Sequence, residues 1–311
     1  MNPAWSILLF TALAGAAQGL VVVLAVAVLA GAVLPASLLV GGLGLSTVLL
    51  VVALVASFFH LGRPMQAWRA VLMWRTSWMS REVIVLPAFI ALVAGWGALA
   101  AAGSQGVVAT RLLPLAIILV AALLWYCTAM IYACLRFIQE WAHPVTIANY
   151  TLIGLASGLV LGGALAVVVG DAGFALKLGP WAIGATLLAW AVRGWSLHRN
   201  ARLKPRSTLQ SATGIRNPRL VQTAMGMTGG SFNTREFFHR ATLAGMRHMK
   251  LAFQVLAFAV PVALVALALA GAAALPWLLA VPVQLAGVLA ERWVFFAQAR
   301  HPQNLYYQVV S

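Results

Sequence analysis

The chain has 311 residues, 63% hydrophobic and only 8% charged, with a mean hydropathy of +0.96. An average soluble domain is about 25% charged, so too little polar surface is present to cover a water-soluble globule, and the apolar content excludes disorder. Twenty Lys and Arg oppose five Asp and Glu, a net +15 that in a soluble protein would suggest nucleic acid. Here the basic residues fall between apolar runs, where they read as a topology signal and as contacts to anionic lipid, with no nucleic acid expected.

Apolar runs of about twenty residues mark membrane helices. Eight follow one another, at 5–32, 37–60, 83–101, 112–135, 146–169, 178–195, 250–271 and 273–298. Such unbroken runs exclude a transmembrane β-barrel. The first basic residue is Arg63, so the N-terminal run lacks a charged n-region and is expected to remain as a membrane span. Residues 61–81 form an amphipathic stretch with Trp68, Trp74 and Trp78, as expected of chain lying at the interface. Prolines inside several runs (Pro87, Pro114, Pro180, Pro261, Pro276, Pro282) are tolerable in a packed bundle, and small residues such as Gly154 and Gly158 allow close helix approach. The basic segment 197–249 is the one extended hydrophilic stretch; near its end, Thr234 to Arg240 reads as a helix start behind a Thr cap. The expected fold is all-α: one integral-membrane domain over 1–311, with eight transmembrane helices as two four-helix bundles.

Counting Lys and Arg by loop sets the orientation. With both termini in the cytoplasm, all the basic residues except Arg111 and Lys177 fall inside, including those of 61–81 and 197–249.

Ionisable groups in membrane helices are costly and are read as functional first. His60 closes the second run, ahead of Leu61-Gly62-Arg63-Pro64, a Gly cap and a Pro stop, and Glu82 opens the third. Both are expected at neighbouring cytoplasmic helix ends, where the dipole of a helix C-terminus favours protonated His60 and keeps its titration near neutral pH. The pair suits a two-electron, two-proton redox step; the plainer reading is two ordinary interfacial polar residues. Glu291 and Arg292 precede Val294-Phe-Phe-Ala297 in the last run. They read either as part of a polar pocket or as an interfacial pair with Arg292 snorkelling outward. Cys127 and Cys134, on one face of one run, cannot ligate an iron–sulfur cluster or zinc. The six histidines all sit at run ends or in loops, so no haem is expected either. A transporter, the alternative from another class, should show polar groups at mid-membrane, which these runs lack.

Ser57-Phe-Phe-His-Leu-Gly-Arg-Pro-Met-Gln-Ala-Trp68, followed by Ser77-Trp-Met-Ser-Arg-Glu-Val83, resembles the dimethyl sulfoxide reductase membrane-anchor family, with its His-Leu-Gly-x-Pro and then Ser-x-Glu at the next helix. Leu9-Phe10-Thr11 and the stretch from Leu285 to Phe296 are similar to that family's first and eighth helices, so the likeness extends over essentially the whole chain. The resemblance implies an anchor in the bacterial inner membrane, not itself the site of the molybdenum chemistry. Such an anchor holds an iron–sulfur subunit and a molybdopterin catalytic subunit and exchanges electrons with membrane quinone, either ubiquinone or menaquinone. On the same resemblance, His60 and Glu82 match quinone-handling residues and Arg292 matches the helix-eight arginine. Some relatives carry a carboxylate at the position of Val288, whereas this chain has Glu291 nearby. Arg63, Trp78 and Ser80 complete the expected quinone site, with His60 and Glu82 moving protons and Arg63 or Arg292 stabilising the reduced ring. The insert Met225-Gly-Met-Thr-Gly-Gly-Ser-Phe-Asn-Thr-Arg-Glu-Phe-Phe238 is similar to the branch that anchors cytoplasm-facing sulfite-oxidising enzymes. The alternative is the anchor of another cytoplasm-facing sulfoxide or sulfur-compound reductase. In either case the basic 197–249 segment is expected to clamp the iron–sulfur subunit.

Overall fold

The computed structural model describes residues 1–221, 223, 239, 241–271, 273–302 and 304–307. Among them are eight helices long and apolar enough to cross a membrane: α1 Trp5–Leu29, α2 Ala36–Phe58, α3 Trp78–Ala101, α4 Val108–Ala133, α5 Val145–Val168, α6 Ala172–Ala201, α7 Leu243–Gly271 and α8 Ala274–Ala297. The described residues contain no strand. The chain is an integral membrane protein of all-α fold.

Three helices begin earlier than their apolar runs because a polar side chain caps them. Ser77 Oγ accepts from Ser80 N at 3.4 Å and starts α3 five residues ahead of the run, so Ser80 and Glu82 lie in its opening turns. Asp171 accepts from Phe174 N at 3.0 Å and starts α6, which continues past the apolar run to Ala201 and holds Arg193 buried within it. Thr242 caps α7 through Gly245 N at 3.0 Å. The start expected at Thr234 to Arg240 lies outside the described residues, apart from His239.

Helix neighbours fall into two sets. In the first, α1 packs on α2 and α4, and α3 packs on α2 and α4; in the second, α5 packs on α6 and α8, and α7 packs on α6 and α8. The sets meet where α1 crosses α5, with α4 against α5 and α1 against α8 beside that crossing. Small residues set the closeness of the crossing. A Cβ on Gly19 would strike the backbone of Gly154 and Gly158, and one on Gly158 would strike the backbone of Gly19 and Leu20. Bare glycine faces at four-residue spacing let the two backbones touch, the arrangement lipid-embedded helices use where no hydrophobic driving force separates them from solvent.

Two helices carry the same irregularity. α4 opens with a π-helical turn at Val108–Leu112 ahead of Pro114, and α7 contains one at Val255–Ala259 ahead of Pro261. Proline lacks the N–H that would serve a carbonyl one turn back. A neighbouring helix supplies the missing donor each time: Trp96 Nε1 of α3 donates to Ala109 O at 2.9 Å, and Gln284 Nε2 of α8 donates to Ala257 O at 3.4 Å. The freed backbone is thus satisfied inside protein, as a lipid-embedded helix requires.

The up-and-down order brings the end of α2, the start of α3 and the end of α8 to one end of the bundle. At that end the Met1 amino group donates to Ala297 O and Ala299 O, at 3.2 and 3.4 Å, and burial pulls its pKa down to about 6.

Candidate functional site

At that same end a cleft of about 470 Å³ opens between α1, the end of α2 and the start of α3. Its lining is apolar (Phe10, Leu54, Phe58, Met65, Trp68 and Met79 among others) except for Ser57, His60 and Glu82. One wall is the 3₁₀ segment Pro64–Met73, in which Met65 and Trp68 are 89% and 63% exposed. Apolar surface facing outward at a helix end suits the lipid boundary and cannot be accommodated in water over such an extent. Pro64 begins this segment, and Arg81 fastens its far end to α3. The Arg81 guanidinium donates to Trp74 O at 2.9 Å and to Arg75 O at 2.8 Å, and lies 4.0 Å over the Trp78 ring.

The two polar groups differ in setting. Glu82 is buried, and Thr128 Oγ1 of α4 donates to its Oε1, so this carboxyl is held from outside its own helix. His60 stands on the cleft rim with Nδ1 3.3 Å from Ser6 Oγ. Partial burial lowers the His60 pKa from its ordinary value of 6.5. The helix dipole therefore does not hold His60 protonated: α2 ends at Phe58, His60 lies beyond the helix, and desolvation opposes the charged ring. At neutral pH it is an imidazole with one donor and one acceptor nitrogen.

The other residues expected at the site separate into two groups. Arg63, Trp78 and Ser80 are near the cleft but do not line it: Arg63 is exposed, Ser80 is buried, and Trp78 packs edge-on against Tyr126 with ring centroids 5.3 Å apart. Glu291 and Arg292 lie elsewhere, in the core. Glu291 is fully buried between Arg193 of α6, with Nε 2.6 Å from Oε1, and Arg292, with Nη1 3.2 Å from Oε2. Arg292 is itself buried, with its guanidinium carbon 3.9 Å from the Tyr150 ring, so it does not snorkel outward. Among the described residues, no three His, Cys, Asp or Glu side chains converge as metal ligands.

The model of the DMSO reductase anchor subunit (DmsC) family matches residues 1–298. The chain belongs to that family. It is also 45% identical, over the full length of both chains, to a sulfite dehydrogenase subunit of Allochromatium vinosum. No solved structure matches it. As a family member it is a membrane-anchor subunit of a molybdoenzyme, and the eight apolar helices are the anchor.

Two partners in this anchor's polar chemistry escaped the sequence reading. Thr128 sits in an uninterrupted apolar run with nothing to single it out, since a lone threonine there usually bonds its own backbone. Arg193 carried a usable signal: it lies between Trp190 and Trp195 in a stretch that keeps helical periodicity, where a buried partner is the better expectation for a cation.

Proposed function

We propose that this chain is the quinone-reactive anchor of a sulfite-oxidising molybdoenzyme, passing electrons between a partner iron–sulfur subunit and membrane quinone. The observation that carries the reading is the cleft, which joins a wide apolar slot at the lipid boundary to one histidine and one buried carboxyl. Its size lies within the range of small-molecule sites, and a quinone needs this combination: apolar walls for ring and tail, and groups that bind its carbonyls and move protons. Two electrons delivered to a ring without protons would leave charge in a low-dielectric slot.

His60, with Ser6 beside Nδ1, would donate from its other ring nitrogen to one carbonyl and recover the proton through the Nδ1 side. Glu82 would deliver a proton at the second carbonyl, with Thr128 fixing the carboxyl that must give it up. Exposed Arg63 would favour negative charge at the mouth. Glu291 and Arg292, buried elsewhere, take no direct part in ring binding.

The relative's name supports sulfite as the substrate of the catalytic subunit, and the basic-residue count supports a cytoplasmic face for the cleft and for both termini, in the inner membrane. On that face the 197–249 segment would clamp the iron–sulfur partner. A second cavity of about 270 Å³, lined by Glu140, Arg206 and Arg300 beside the end of α6, offers polar anchorage for the same docking. In the assembled complex, His60→Ala and Glu82→Gln should each lower quinone-linked turnover by about 100-fold or more. Turnover with an artificial acceptor that takes electrons from the partner subunits should stay intact. Wild-type quinone-linked rates in both variants would move the site elsewhere.

A further inference from the structure

Glu82 is held by protein on its inner side, and the groups behind it continue inward. Thr128, which donates to Glu82, is one helical turn from Tyr132 on α4. Tyr132 stacks on Tyr150 of α5 with ring centroids 5.8 Å apart, and the Arg292 guanidinium lies on the Tyr150 ring. Arg292 contacts Glu291, Glu291 contacts Arg193, and Arg193 Nη1 donates to Ser196 Oγ at 3.4 Å. Every side chain in this series is more than nine-tenths buried. Together they form one polar file from the cleft through the junction of the two helix sets.

Two properties of the file are not explained by packing. First, it is short of hydrogen-bond partners. Among the described residues, Arg193 Nη2 and Arg292 Nε of the file are buried without one inside the protein. Buried polar atoms are nearly always satisfied, and polar sites of this kind are where internal waters reside. Second, two guanidiniums against Glu291 leave a buried excess of one positive charge. A purely structural tie between α6 and α8 would be made as well by apolar side chains. Glu82 is the carboxyl at the other end of the file.

We infer that this file is a hydrated proton route that resupplies Glu82 from the core side. The inference rests on the quinone reading of the cleft. When Glu82 gives a proton to the ring carbonyl, the two electrons come from the iron–sulfur partner, and the carboxylate left behind is reprotonated through Thr128, Tyr132, Tyr150 and the waters that the unpartnered atoms hold. The excess positive charge offsets the carboxylate in the interval.

The test uses the whole complex in membranes and Tyr132→Phe and Tyr150→Phe, which keep both rings and remove only the hydroxyls. Quinone-linked turnover should fall by about tenfold or more, with an enlarged solvent deuterium isotope effect and unchanged turnover with the artificial acceptor. A merely structural role for the hydroxyls would leave the isotope effect alone. Unchanged rate and isotope effect in both variants, with His60→Ala still inactive toward quinone, would overturn the proton route and leave the cleft reading standing. Unchanged quinone-linked turnover in His60→Ala and Glu82→Gln as well would remove both.

Discussion

The cleft at the start of α3 and the ion cluster between α6 and α8 use the same kinds of side chain with opposite outcomes. His60 stands on a rim facing the lipid boundary, and Glu82 reaches the cleft from a buried position. Arg193, Glu291 and Arg292 are buried in the core, with Arg193 over the Phe253 ring of α7 and Arg292 over the Tyr150 ring of α5. What separates them is enclosure: the cleft is walled on one side by the Pro64–Met73 segment alone, whereas Glu291 is fully enclosed by protein. The same kinds of titratable group thus line an apolar cleft at one place and form an internal polar core at the other.

The largest expected effect lies on the closed side. Glu291→Ala would leave two buried guanidiniums without their counter-charge, costing about 3–5 kcal/mol. Thermal unfolding of the detergent-solubilised complex should show a clear loss, and the anchor should accumulate poorly. Near-wild-type stability would mean that the cluster is open to bulk solvent, and the contrast with the cleft would collapse.

A smaller effect is expected at the junction of the two sets. Gly158→Ala puts a methyl against the backbone of Gly19 and Leu20, where no flexible side chain can give way. Overpacking of this kind costs about 1–3 kcal/mol. The same thermal measurement should register it, whereas Gly44→Ala, where a Cβ meets open space, should not.

The smallest effect sharpens the open side. The folded-state pKa of His60 is depressed, so its neutral ring prevails above 6.5 and is lost only as pH falls below that value. The acid limb of quinone-linked turnover should therefore lie below pH 6.5. A limb above that value would mean a protonated, stabilised His60 and a wetter, more acidic rim.

Much of the architecture was legible in the chain. A helix that must bury its backbone polar groups in lipid writes itself as a long apolar run, and each of the eight runs corresponds to a spanning helix. The ends were less legible, because Ser77, Asp171 and Thr242 extend helices into polar sequence through caps that hydropathy does not register. The His-Leu-Gly-x-Pro and Ser-x-Glu motifs marked His60 and Glu82, and both line one cleft. Arg63, Trp78 and Ser80, chosen for proximity along the chain, stop short of it, since neighbours along a chain need not face the same cavity: Trp78 turns to Tyr126, Ser80 is buried and Arg63 is exposed.

By itself, then, the sequence determined the solvent this protein lives in, the number of its spans and the two residues at the cleft. Lipid imposes those through transfer free energy, one residue at a time. Only the tertiary structure decided that Thr128 holds Glu82, that Arg193 is a core residue, and that Glu291 and Arg292 pair inside the bundle instead of facing the cleft. Such pairings depend on which helix faces close on one another. In this chain the facing is set by side chains that serve proline-freed carbonyls and by bare glycine backbones at the α1–α5 crossing, where residues as distant along the chain as Gly19 and Gly158 come into contact.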